Sequence, residues 1–154
     1  MKRTFFLAFG ISCLCLLSSC KDDNYIEWKL LNDEWWEQHK NDSGYSATDS
    51  GLRYRIIYKG GINNPDENSG TYVRYNNKIR LIDGEIAMEL TNAGAYISDL
   101  PKGFIEGIRK IGTGGIIEMM IPYSLAYGKS GLNANVPPYS HVICEVELLF
   151  VLNN

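Results

Sequence analysis

The chain has 154 residues, 45% of them hydrophobic, and a formal net charge of −3 from 18 acidic and 15 basic residues. That acidic balance argues against a nucleic-acid-binding surface, and the length leaves room for one compact domain plus a leader. With 4 cysteines and 2 histidines, none at metal-ligand spacing, no zinc site is expected.

At the N-terminus, Lys2 and Arg3 precede an apolar run from Phe5 to Leu17 that stops at Leu17-Ser18-Ser19-Cys20. The run is shorter than the about 20 apolar residues needed to cross a bilayer, so residues 1–19 read as a signal peptide. The Leu-Ser-Ser-Cys ending resembles a bacterial lipobox, in which the cysteine is acylated and becomes the new N-terminus. Cys20 is then the lipidation site, and the lipid ties the protein to the outer membrane of the cell envelope, on its periplasmic or surface face. Lys21-Asp22-Asp23 is similar to the acidic surface-export signal of lipoproteins in Bacteroides-like bacteria, and reads equally well as solvated linker charge. Processing removes Cys13 and Cys15, and acylation of Cys20 leaves Cys144 with no disulfide partner. It also removes Lys2 and Arg3, leaving 13 bases against 18 acids, a net of about −5.

Between Asn24 and Lys40, Trp28, Leu31, Trp35 and Trp36 stand among charges at helical spacing, which predicts an amphipathic helix. Its tryptophans suit packing on a domain and also, near an anchor, a membrane interface. Asn41 to Asp49 is rich in Asn, Asp, Ser and Gly and reads as a linker. Residues 20–49 are thus anchor, helix and linker, and the folded domain is expected over 50–154. Within it, Leu52, Tyr54, Ile56 and Tyr58 alternate with charged neighbours as a half-buried strand. A second strand runs from Val73 to Leu81, with Val73, Tyr75, Ile79 and Leu81 on one face, and Asp83-Gly84 marks a turn.

Two strands therefore precede a helix over 103–111, where Phe104, Ile108 and Ile111 share a face and Gly112 and Gly114-Gly115 end it. Strands follow over 116–121 and 142–152, the last directing Val142, Cys144, Val146, Leu148 and Phe150 inward. The fold class is α+β: an antiparallel sheet covered by one short helix and preceded by an N-terminal helix. Other chemistries find no support. His39 and His141 read as surface residues, and Gly112-Thr113-Gly114-Gly115 follows a helix and precedes a strand, the reverse of a phosphate loop. No metal and no cofactor is expected.

One ordered series of motifs is far more specific than composition. Gly103-Phe104, Glu106-Gly107, Gly114-Gly115, Ile121-Pro122, Leu125-Ala126-Tyr127-Gly128, Val136-Pro137-Pro138 and Val146-Glu147-Leu148-Leu149 resemble the C-terminal half of FKBP-type peptidyl-prolyl isomerases. The resemblance implies an FKBP-like fold, a bent antiparallel sheet wrapped on one helix with the active site between them. It implies proline-containing polypeptides as clients and catalysis of prolyl rotation, an aid to the folding of exported proteins. By position it implies Phe104 as the floor beneath the proline ring and Tyr75 and Tyr127 as walls, Tyr127 giving its hydroxyl to a substrate carbonyl. Leu100 and Val136 fall on aliphatic wall positions.

The resemblance thins after Asp83-Gly84. Where the family has a Phe-Asp pair lining the pocket, this chain has Ala87-Met88, which removes an aromatic wall and a carboxylate. Asn76-Asn77 replaces the common Thr-Gly or His-Gly step. Pro101 falls where the family offers a backbone N–H, which proline lacks. Cys144 replaces an aromatic residue at the pocket floor, a space that Met88 could refill. The first expectation is a membrane-anchored isomerase of reduced activity; the alternative is a non-catalytic binding or chaperone-like module on the same scaffold.

Overall fold

The computed structural model describes residues 23–154, so the signal peptide, Cys20 and Lys21-Asp22 lie outside the described residues. In chain order these residues form α1 (Asp23–His39), β1 (Ser46–Ala47), β2 (Arg53–Tyr58), β3 (Tyr72–Arg80), β4 (Ile86–Tyr96), α2 (Lys102–Ile108), β5 (Ile116–Ile121) and β6 (Val142–Leu152). Single 3-10 turns sit at Ile97–Asp99 and Tyr123–Leu125. The strands make one antiparallel sheet in the order β1-β2-β5-β6-β3-β4. This is the α+β arrangement expected, a sheet with α2 on its inner face and α1 ahead of it.

The period-two pattern explains the centre of the sheet. Val73, Tyr75 and Ile79 of β3 and Val142, Cys144, Val146 and Leu148 of β6 all turn to one face and are buried. They meet Phe104 and Ile108 of α2 and Ile117, Met119 and Ile121 of β5 in a single core. Full burial of each such side chain is worth roughly 1.5–3 kcal/mol, so the core dominates the stability. The helix sits close on the sheet because Gly103 and Gly107 face β5. A Cβ at Gly103 would stand 2.4 Å from Ile121 Cγ2, and one at Gly107 would stand 1.9 Å from Met119 Sδ. Glycine at both positions therefore sets how deeply Phe104 enters the core.

Three expectations are corrected. Four strands, not two, precede α2. β4 escaped the pattern because it is an edge strand with an exposed outer side, and its alternation is reset twice by bulges opposite β3, between Tyr75 and Asn77 and between Ile79 and Arg80. Phe150 points outward at 45% exposure, and Val151 takes the inner place. A bulge in the β3–β6 ladder, where Arg74 pairs with Phe150 and Tyr75 with Leu148, shifts the phase by one residue. His141 is buried at 4% exposure, not on the surface, because α1 covers it.

The outer face of the sheet is tied by charge. Glu118 of β5 takes Arg55 Nη2 at 2.8 Å and Arg80 Nη2 at 3.5 Å, and accepts a hydrogen bond from the Tyr45 hydroxyl. That last bond holds the segment before β1 against the sheet. Among the described residues no helix is long and apolar enough to cross a membrane.

Candidate active site

Phe104 and Tyr75 form the aromatic centre of the inner face, one from α2 and one from β3. Their ring centroids are 5.1 Å apart and their planes tilted by 58°, within the range where aromatic pairs attract beyond simple area burial. Opposite Tyr75 on β4 stands Ala93, and opposite Val73 stands Ala95, so the neighbouring strand presents small side chains here. Both alanines pack on the core.

Tyr127 approaches from the segment after the Tyr123–Leu125 turn. That segment is folded back by Gly128 N–H donating to the Tyr123 carbonyl at 2.8 Å and by a pair of bonds between Leu132 and Val136. Gly131 makes the second closure possible: its φ is +68°, and a Cβ would lie 2.1 Å from the Val136 carbonyl oxygen. The result presents Tyr127, half-buried, and Val136, fully buried, to the core that holds Tyr75 and Phe104.

Burial pushes the Tyr127 hydroxyl up to about 12, the nearby Cys144 thiol and Tyr75 adding to the effect. The Tyr75 hydroxyl is also raised, by burial first and then by Cys144. Both phenols are therefore neutral donors at physiological pH. The Cys144 thiol is itself fully buried and held well above its ordinary range by desolvation, so it is a packing group and not a nucleophile.

Of the remaining expected residues, Met88 lies opposite Ile79, which on its other side pairs with Cys144. Met88 thus closes one end of a row across the inner face, partly buried against the core. Ala87, the bulged residue, is buried at 6% exposure. Leu100 is partly buried, and its N–H is occupied by the Ile97 carbonyl at 3.2 Å. Pro101 caps α2 with φ −58° and offers no N–H. Both aromatic rings are almost wholly covered: Phe104 is 3% and Tyr75 6% exposed.

One residue of the inner face was missed. Asn77 follows Tyr75 by two and so shares its face, buried at 7% exposure between Tyr75 and Ile79, with its Oδ1 unpartnered among the described residues. The period-two run itself carried that signal. Among the described residues no group of three or more potential metal ligands occurs.

Comparison with known proteins decides the family. The family model for FKBP-type peptidyl-prolyl cis-trans isomerase matches residues 66–149. This chain belongs to that family. The FKBP-type 22 kDa peptidyl-prolyl cis-trans isomerase of Escherichia coli (strain K12) is 32% identical over 123 residues, covering 77% of this chain and 59% of the relative. The outer membrane protein MIP of Legionella longbeachae is 27% identical over 129 residues, covering 81% of this chain and 54% of the relative. The crystal structure of FkpA from Escherichia coli superposes with a TM-score of 0.71 at 29% identity, covering 84% of this chain and 62% of that one. The chain thus spans less than two thirds of the length of the curated relatives it matches. The matched FKBP-type region holds Tyr75, Phe104, Tyr127 and Val136 and does not reach α1.

Proposed function

We propose that this chain is a peptidyl-prolyl cis-trans isomerase that assists the folding of exported proteins, holding the substrate proline against Phe104, Tyr75 and Tyr127. The observation that carries the reading is the tilted Phe104–Tyr75 pair with the half-buried, protonated Tyr127 beside it, in a chain of the FKBP-type family.

The chemistry asks for no acid, base or nucleophile. The barrier of about 18–20 kcal/mol is rotation about a partial double bond, and uncatalysed exchange takes roughly tens to hundreds of seconds. Water stabilises the charge-separated planar amide, so an apolar slot that removes water and fits the twisted amide better lowers the barrier by differential binding. In this reading Phe104 is the floor beneath the pyrrolidine ring, Leu100 and Val136 are aliphatic walls, and Met88 and Cys144 fill the side where the family has aromatic residues. The Tyr127 hydroxyl donates to a substrate carbonyl. Pro101 supplies no second donor, which predicts a slower enzyme than a family member with an N–H there.

Residues 1–19 serve as signal peptide, 20–49 as the lipidated leader with α1, whose end adds β1 to the sheet, and 50–154 as the FKBP-like domain. The lipid on Cys20 places the domain at the outer membrane, a location that suits clients emerging from export; one relative is named an outer membrane protein. The clients are proline-containing polypeptides.

A second reading, a non-catalytic FKBP-like binding module, is favoured by the near-complete cover on Phe104 and Tyr75 and by Pro101. Refolding of a protein whose slow phase is prolyl isomerisation separates the two. The isomerase reading predicts that catalytic amounts of this chain shorten the slow phase. An unchanged slow phase, with the client shown to bind, establishes the binding module.

A further inference from the structure

We infer that α1 is a positioning device for the active-site segment 123–141, acting through Asn32 and Trp28. The inference rests on the proposed roles of Tyr127 and Val136, which that segment carries.

The contacts of α1 are directional and converge on one short stretch. Asn32 is fully buried; its Oδ1 accepts the His141 N–H at 2.8 Å, and its Nδ2 donates to the Trp28 carbonyl at 2.9 Å. The second bond joins residues one turn apart and so fixes the rotamer that makes the first. Trp28 Nε1 donates to Ser140 Oγ at 2.9 Å, and Ser140 Oγ donates to the Pro137 carbonyl at 2.7 Å. The Trp36 ring stacks on His141, centroids 4.8 Å apart and planes within 13°. Trp28, Asn32 and Trp36 follow at intervals of four, one face of the helix.

Those partners, Ser140 and His141, follow Val136 by four and five residues, and Ser140 reaches back to Pro137, next to Val136. The stretch they hold closes the segment at both ends. His141 Nδ1 accepts the Tyr123 N–H at 3.3 Å, and the Tyr139 N–H donates to the Gly128 carbonyl at 3.0 Å, next to Tyr127. A helix docked only to bury area would turn its aliphatic residues inward. Here Ile26, Leu30 and Leu31 remain 58%, 63% and 50% exposed, while an amide occupies the centre of the docked face. Beside the area that Trp28 and Trp36 cover, this interface supplies direction, and direction is what a slot with one hydroxyl donor requires.

The test uses the full chain with Asn32→Ala, Trp28→Phe, Ser140→Ala and the Trp28/Ser140 double variant. Hydrogen exchange of peptides spanning 123–141 is expected to quicken by about tenfold in Asn32→Ala while peptides from β5 and β6 keep their protection, and kcat for a proline peptide is expected to fall by about tenfold with KM changing less. Because Trp28 acts through Ser140, the double variant is expected to lose no more than the worse single variant. Unchanged exchange over 123–141 and unchanged kcat in Asn32→Ala and Trp28→Phe overturn the inference and make α1 a spacer. If the unsubstituted chain has no isomerase activity, the proposed function fails, and the exchange of 123–141 alone decides whether α1 holds the segment.

Discussion

Phe104 reaches Tyr75 across the gap between helix and sheet, ring centroids 5.1 Å apart, because two glycines on the same helix let its backbone settle onto β5. The aromatic floor of the candidate slot is therefore also the centre of the hydrophobic core.

That double role predicts a stability cost for any change at the floor. Phe104→Ala should lower the unfolding free energy by about 3–5 kcal/mol, the usual loss for a buried aromatic side chain, read as a lower urea midpoint with an unchanged slope. Phe104→Leu should stay folded and still lose most activity, since it keeps bulk and loses the flat ring surface.

Tyr127 is half-buried, and its contribution is a hydroxyl rather than core volume. Tyr127→Phe should reduce kcat/KM by roughly threefold to tenfold, the worth of one hydrogen bond of about 0.5–1.5 kcal/mol, with little change in melting temperature. The phenol ionises at about 12, burial being the main cause, so the rate of the unsubstituted protein should be flat from neutral pH to about pH 9.

Pro101 offers the opposite kind of variant. Pro101→Ala restores a backbone N–H at the start of α2, and in peptide exchange assays it should raise kcat/KM by about twofold to tenfold. Equal activities in the two proteins would mean that no substrate carbonyl reaches that position.

His141 is held down at about 4 by burial, against an ordinary value of 6.5, with Asp33 pulling it up and Lys29 pushing it further down. The unfolded chain therefore binds more protons between those values, so the stability this residue contributes is complete above about pH 6.5 and is lost as pH falls toward 4. Urea unfolding between pH 7 and 4.5 should fall more steeply for the unsubstituted protein than for His141→Gln.

Much of this was legible in the sequence. The alternation of 73–79 and 142–148 and the Gly-Phe, Ala-Tyr-Gly and Val-Pro-Pro punctuation placed the sheet, the short helix and the aromatic residues. β4, Phe150 and His141 were not legible, for two physical reasons. Each bulge inserts one residue and reverses every later side chain, so a strand such as Ile86–Tyr96 shows no single period. The burial of His141 and Asn32 depends on α1 packing more than 100 positions away in sequence, and an asparagine at the centre of a docked helical face reads locally as a polar residue on the wet side. The inward face of Asn77 was legible, because it follows from Tyr75 two residues before.

The face formed by Phe104, Tyr75 and Tyr127 is proposed to catalyse prolyl rotation. This is tested most directly by NMR exchange between the cis and trans forms of an Xaa-Pro peptide, with and without the protein, needing no coupling protease. Exchange is expected to quicken in proportion to protein concentration and to slow when Tyr127→Phe replaces the unsubstituted chain. Exchange that stays at the uncatalysed rate with a folded protein at high concentration would contradict it.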